Sequence, residues 1–318
     1  MVNTSPTPRT RWPAAARQYG STIFEGLKVY RRDDGSLVAF RPERNAARFR
    51  ASARRMGMPE LPEELFLDAL SALLDADGDW VPAAGGEDSL YLRPFLVATS
   101  PGLAPVAAED HLFVLMASPA GAYFPRGLAP VRAWMSGSHV RAFPGGTGAA
   151  KTGANYAASL AAQADAAAHG CDQVVWLDAH QRRYVEEMGV MNLFFVFGGP
   201  NPGAPVEVVT PALNGSFLAG ITRDSVLTLA ADLGARVVER PVEAQEWRDR
   251  AADGSLREVF ASGTAAVITP VGAVVGPSGE VTVADGSPGP TTTALRVALT
   301  DLQRGQRPDP HRWLRPLP

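Results

Sequence analysis

At 318 residues, with hydrophobic residues at 46% and charged residues at 20%, the chain can bury a sizeable core and divide into two domains. A net charge of −3 gives no reason to propose nucleic acid or an anionic membrane as a partner, and no apolar run reaches the length of a membrane span. The single cysteine, Cys171, excludes an internal disulfide framework and a cysteine-based metal site; residues 1–18, rich in Pro, Arg and Thr without an apolar core, do not read as a secretory signal, which makes the cytoplasm the default compartment.

In chain order, 23–30 and 36–40 read as strands around the 31–35 turn, where Asp34-Gly35 is a hairpin signal. Residues 45–56 give a basic helix carrying Phe49 and Met56. Residues 62–74 give an amphipathic helix with Leu65, Leu70, Leu73 and Leu74 on one side. Strands are predicted at 89–99 and 111–117. The Pro- and Gly-rich segment 118–127 is the best linker, separating a smaller N-terminal α/β domain, 1–117, from a larger C-terminal domain, 128–318. Beyond it, 131–135 reads as a strand and 155–169 as one helix. Residues 174–177 and 184–187 form a hairpin around 178–183, and 193–197 reads as a buried strand. Helices follow at 223–233 and 243–252, then two short strands, 258–261 and 266–269, flanking a turn. A helix at 291–304 closes the chain. No internal repeat is present, and loops such as 198–205 are the only low-complexity stretches. Mixed strands and helices in two unequal lobes make this an α+β, or mixed α/β, protein.

The most informative stretch is 146–159, GTGAAKTGANYAAS, centred on Lys151. The chain contains only two lysines, Lys28 and Lys151, and uses Arg almost everywhere else for positive charge. Arg does not deprotonate in proteins, whereas a Lys with a lowered pKa can act as nucleophile or proton shuttle. Gly146, Gly148 and Gly153 let the backbone turn sharply and a ligand approach, ahead of an Ala-rich helix. A lone amine in such a turn suits a Schiff-base lysine. A surface lysine in a flexible loop is the other reading that the local sequence allows.

This stretch resembles the lysine motif of the branched-chain aminotransferases, pyridoxal-phosphate enzymes of fold type IV. Further motifs stand in the order found in that family. Before the lysine come FEGLKVY from Phe24, FRPERNAARF from Phe40, LYLRP from Leu90 and GAYFP from Gly121. After it come VEEMGVMNLFFVF from Val185, LAGITRDS from Leu218 and ASGTAAVITPV from Ala261. The resemblance runs from about Tyr19 to the C-terminus and implies a two-domain fold type IV architecture that binds pyridoxal 5′-phosphate.

On this resemblance Lys151 is the Schiff-base lysine and proton shuttle. Glu187 keeps the pyridine nitrogen protonated; its neighbour Glu186, on the opposite face by strand alternation, is expected in solvent. Arg48 is the phosphate arginine, although the residues alone allow one more charge on a basic helix. The Gly220-Ile221-Thr222 turn, opening a helix, gives phosphate the free N–H groups of Ile221 and Thr222, with Thr264 adding a hydroxyl. Tyr156 meets the cofactor's phenolic oxygen. Tyr91 and Arg93, two apart on a strand, share a face and serve the substrate carboxylate, with Thr264 and Ala265 also on the substrate side. Tyr19, Phe24 and Tyr123 line the side-chain pocket. On pattern alone, these aromatics also fit plain core.

The resemblance further implies a homodimer, amino acids and 2-oxo acids as substrates, and no metal. It carries departures: a short N-terminus before Tyr19, Val190 in place of a small or hydroxylated residue, Ala154 in place of a glycine, and Ala266 and Thr269 where some animal relatives carry a redox cysteine pair. The implied reaction is transamination between branched-chain L-amino acids and 2-oxoglutarate by a ping-pong mechanism. A D-amino-acid aminotransferase, an aminodeoxychorismate lyase of the same fold and a non-catalytic homologue are the alternatives.

Overall fold

The computed structural model describes residues 18–121, 128–198 and 205–318. Two sheets organise it. The first contains β1 (Thr22–Phe24), β2 (Leu27–Arg31), β3 (Leu37–Phe40), β4 (Ser89–Ala98), β5 (His111–Ala120) and the terminal strand Leu314–Leu317. β4 pairs with β5 along one edge and with β1 and β2 along the other. Phe24 faces Phe95 and Leu27 faces Leu92 in one unbroken register, so the predicted strand 23–30 is a single path with an interruption at Glu25 and Gly26. Pro94 accounts for the gap. The N–H of Glu25 donates to the Pro94 carbonyl at 2.8 Å, but proline has no N–H to return.

Along β4 burial alternates. Leu90, Leu92 and Leu96 enter the core, while Tyr91, Arg93 and Phe95 stand on the other, half-buried face. The core side packs on α1 (Pro42–Arg55) and α2 (Glu63–Asp77) through Phe49, Phe66 and Leu70, with the Phe49 and Phe66 rings 5.5 Å apart.

The second sheet holds β6 (Val131–Met135), β7 (Gln173–Leu177), β8 (Val185–Met188), β9 (Met191–Phe197), β10 (Glu207–Thr210), β11 (Arg236–Glu239), β12 (Leu256–Gly263), β13 (Val267–Gly276) and β14 (Gly279–Thr282). The path β9-β12-β13-β6-β7-β8 closes on itself because β8 also pairs with β9, Glu187 facing Asn192. β9 is buried on both faces, which explains its uninterrupted apolar run. Phe195 meets Trp247 of α6 (Ala244–Ala252) edge-on at 5.0 Å. Phe194 and Val196 join the cluster under α5 (Ile221–Asp232) and α7 (Pro290–Gln303).

Three expectations change. The helix predicted at 155–169 is two helices, α3 (Gly153–Ala157) and α4 (Leu160–Ala168), because the Ser159 hydroxyl turns back onto the Tyr156 carbonyl at 2.7 Å. β5 continues to Ala120, into the predicted linker; residues 122–127, which include Tyr123, lie outside the described residues. The chain does not close on its last helix: Leu314–Leu317 returns to the first sheet and pairs with β3.

Candidate active site

Elements of both sheets converge on a cavity of about 330 Å³. Lys151 enters it from a loop that is tied down at many points. Asn155 holds the carbonyls of Thr147 and Ala150 at 2.8 and 2.9 Å. Arg55 holds those of Gly145 and Gly146. The Lys151 N–H donates to the Ser52 hydroxyl at 2.9 Å, and its carbonyl accepts from the Phe24 N–H at 3.0 Å. Gly148 is required by packing: a Cβ there would lie 2.0 Å from the Ser216 carbonyl oxygen. This is a fixed loop and not the flexible surface segment that the local sequence allowed. Lys151 Nζ donates to Tyr156 Oη at 3.0 Å and stands 4.9 Å from the centre of the Phe24 ring, which leans on Tyr156 at 5.0 Å.

Glu187 reaches the cavity from β8 and is buried. Burial pushes its carboxyl up to about 7 and the adjacent Glu186 adds to this; the Arg141 guanidinium, paired with it, and Lys151 oppose. Arg141 also holds the Gly148 carbonyl at 3.1 Å, so one buried cation links this carboxylate to the lysine loop. Glu186 points away from Glu187 as alternation requires, but the solvent expected around it is absent. It is buried, accepting from Ser216 and Asn214, and burial raises its pKa against those two hydrogen bonds.

Arg48 lines the cavity with its fork already engaged. Nε and Nη2 meet the two carboxylate oxygens of Glu25 at 2.7 and 2.9 Å, and Nη1 donates to the Ala219 carbonyl at 3.1 Å. Burial would raise the pKa of Glu25, but Arg48, Lys151 and Asn45 together hold it below the ordinary carboxylate range. Helix α5 begins at the cavity wall. Its N-cap is Gly220, no side chain caps it, and the N–H groups of Ile221 and Thr222 have no intrahelical acceptor. A Cβ at Gly220 would fall 2.1 Å from Asn192 Oδ1 and would displace the amide that donates to the Leu218 carbonyl at 3.0 Å. Thr264 and Ala265 line the cavity from the loop between β12 and β13.

Tyr91 and Arg93 stand side by side on the cavity face of β4, Arg93 Nη2 donating to Tyr91 Oη at 2.9 Å. The guanidinium carbon of Arg93 lies 4.9 Å from the Phe24 ring centre. Arg93 Nε is buried without a hydrogen-bond partner among the described residues. Tyr91 Oη fits only because residue 26 is glycine; a Cβ there would be 2.0 Å away. Tyr19 is not among the lining residues: it is half exposed and its hydroxyl donates to the Leu103 carbonyl. Phe24, Tyr91, Arg93, Arg48, Lys151, Tyr156, Glu187, Ile221, Thr222, Thr264 and Ala265 are therefore brought together, while Tyr19 is not and Tyr123 is not described.

Sequence reasoning missed Glu25, Arg141 and Asn192. Glu25 lies inside the FEGLKVY motif and Asn192 is a polar residue in an apolar strand, so each carried a usable signal. Arg141 is one arginine among many and carried none.

Comparison with known proteins identifies the relatives of this chain. Residues 22–274 match the family model described as Amino-transferase class IV. The chain is 60% identical over 301 residues to the branched-chain-amino-acid aminotransferase of Mycolicibacterium smegmatis, covering 95% of this chain and 81% of that one. It is 46% identical over 296 residues to the branched-chain-amino-acid transaminase 1 of Bacillus subtilis, covering 93% and 81%. The solved branched-chain amino acid aminotransferase of Escherichia coli superposes with a TM-score of 0.79 at 29% identity, over 95% of this chain and 91% of that one. The enzyme of Thermobaculum terrenum, solved in its PLP form, superposes with a TM-score of 0.78 at 26% identity, over 98% and 93%. The chain belongs to the class IV aminotransferase family.

Proposed function

We propose that the chain is a pyridoxal-phosphate-dependent branched-chain amino acid aminotransferase that uses 2-oxoglutarate as acceptor and works by a ping-pong mechanism. The observation that carries this is the pairing of Lys151 Nζ with Tyr156 Oη at 3.0 Å in a cavity that also holds the buried carboxylate of Glu187. The relatives' names support the substrate class. A related branched-chain aminotransferase solved with N-(5′-phosphopyridoxyl)-L-glutamate supports the acceptor.

The residues suit the cofactor. A primary amine is available for its aldehyde, a buried carboxylate for its ring nitrogen, and the uncapped N-terminus of α5 for its phosphate. When bound, pyridoxal phosphate supplies an electron sink conjugated to the substrate Cα. Lys151 Nζ would hold the aldehyde carbon and, once released, carry the proton from substrate Cα. Tyr156 would keep that amine oriented. Glu187, already paired with Arg141, would be ionised more fully with a second positive charge at the ring nitrogen, and would keep that nitrogen protonated. Arg48, fixed by Glu25, would face the phosphate with the N–H donors that remain free on its Nη atoms. Tyr91, Arg93 and the Thr264–Ala265 turn would receive the substrate carboxylate, and the orphaned Arg93 Nε is consistent with an anionic ligand. Division near 118–127 and a homodimer complete the reading.

An amino-donor panel tests it. Turnover of leucine, isoleucine and valine with 2-oxoglutarate, together with a Schiff-base absorbance band lost in Lys151→Ala, is the expected result. Turnover confined to D-amino acids, or no band in the wild type, would overturn it.

A further inference from the structure

Lys28 is the only other lysine, and nothing in the reaction above uses it. It is buried in β2 opposite Tyr91, so both side chains rise from the same face of the first sheet. Its Nζ donates to the Ala265 carbonyl at 3.1 Å. Burial lowers its pKa to about 8, Glu87 opposing and Arg304 and Arg296 assisting, which leaves it largely charged at neutral pH.

Ala265 is the middle of a three-residue loop between Gly263 and Val267, which face each other across the β12–β13 ladder. Hairpins of this length ordinarily close with a residue in the left-handed region, where glycine is at ease. Here the left-handed residue is the first one after the loop, Val267, at φ 60°. A β-branched side chain is disfavoured there, and such strain persists only where the surroundings over-determine the backbone. Two cations do so. Lys28 holds the Ala265 carbonyl. Arg296 of α7, itself paired with Glu87, holds the carbonyls of Ala266 and Ile268 at 3.3 and 2.8 Å. In a trans peptide the carbonyl and the following N–H point in opposite directions. Drawing the Ala265 carbonyl onto Lys28 therefore turns the Ala266 N–H away from Lys28, and Thr264, Ala265 and Ala266 all line the cavity. The N–H groups of these three residues donate to no backbone acceptor among the described residues.

We infer that Lys28 is a positioning residue: it holds the strained 263–267 loop in the shape that offers its N–H groups to the substrate carboxylate. This rests on the proposed reading of the cavity as an amino acid site.

The test uses the holoenzyme and 4-methylvalerate, a branched carboxylic acid without an amino group, which probes the carboxylate contact without turnover. Its Kd is measured by thermal shift and by the change in cofactor absorbance, alongside KM and kcat for leucine. Lys28→Met should keep the cofactor band, weaken 4-methylvalerate about tenfold, as expected for a lost charged hydrogen bond, and raise KM for leucine more than it lowers kcat. Lys28→Arg should restore most of the affinity. Adding Val267→Gly to Lys28→Met should recover part of it, because glycine takes the left-handed conformation unaided. Should Lys28→Met not fold, Lys28→Gln, whose amide falls about one bond short of the Ala265 carbonyl, is read in the same way. Wild-type affinity for 4-methylvalerate in the folded variant overturns the inference and leaves the proposed function standing. A wild-type holoenzyme that neither binds 4-methylvalerate nor turns over leucine overturns both.

Discussion

Lys151 and Glu187 are one residue each, yet most of the proposed chemistry passes through them. Lys151→Ala should abolish turnover and the Schiff-base absorbance band while leaving the fold intact, as absorbance and circular dichroism would show; full activity would remove the basis of the proposal. Glu187→Gln should still bind cofactor but lose roughly 10²–10³ in kcat, the order seen when about 3–4 kcal/mol of electrostatic stabilisation is removed. Glu187 also makes a pH prediction for the cofactor-free protein. Its folded pKa, about 7, is raised above its ordinary value of 4.5. Between these two values the folded state keeps a proton that the unfolded state gives up, so this group's contribution to stability falls as pH rises from about 4.5 to about 7, by about 3 kcal/mol at most. Denaturant titrations at pH 5 and pH 7 should show Glu187→Gln gaining on the wild type across that window; an unchanged difference would sink the argument. Sequence alternation was enough to place Glu186 and Glu187 on opposite faces. It could not show that both faces are buried, because burial depends on the 211–218 segment folding against β8, with Ser216 and Asn214 meeting Glu186.

Elements are where the sequence pattern was read most directly, and where small residues decide the exceptions. The alternation in β4 and the apolar run of β9 were both legible, since a period of two and a doubly buried strand leave plain signatures. The split of the helix after Lys151 was not, because it turns on one hydroxyl, that of Ser159. Nor were β10, β11 and β14, short strands specified by the partner they meet more than by their own residues. The lysine loop gives a prediction at this scale. Gly148→Ala would put a methyl group against backbone, not against a side chain that could swing away. A loss of about 1–3 kcal/mol is expected from such overpacking, with kcat falling further because Lys151 moves with the loop. Thermal denaturation and steady-state kinetics check both parts, and wild-type behaviour in each would show that the loop has room.

For the whole molecule, the terminal strand ties the end of the chain to the first sheet. Leu314–Leu317 pairs with β3, the Trp313 carbonyl accepts from the Arg41 N–H at 2.7 Å, and the Arg41 guanidinium lies 4.6 Å from the Trp313 ring centre. Truncation after Arg312 should bare the edge of β3 and lower Tm by roughly 5–10 °C, with a greater tendency to aggregate. Scanning fluorimetry and light scattering would measure this; an unchanged Tm would mean that the strand contributes nothing.

By itself the sequence determined the class of architecture, the order of most elements and most of the residues that line one cavity, Lys151 and Glu187 among them, because each is recorded in local period or in a motif. Tertiary structure alone decided three things. It paired Arg48 with Glu25 and Arg141 with Glu187, partners 23 and 46 residues apart in the chain. It left Tyr19 outside the cavity, with its hydroxyl on Leu103. It set Lys28 behind the Ala265 carbonyl, 237 residues away in sequence. Local periodicity constrains which face a side chain takes; it contains nothing about which distant charge will be desolvated against it, and in a buried site that pairing sets the electrostatics.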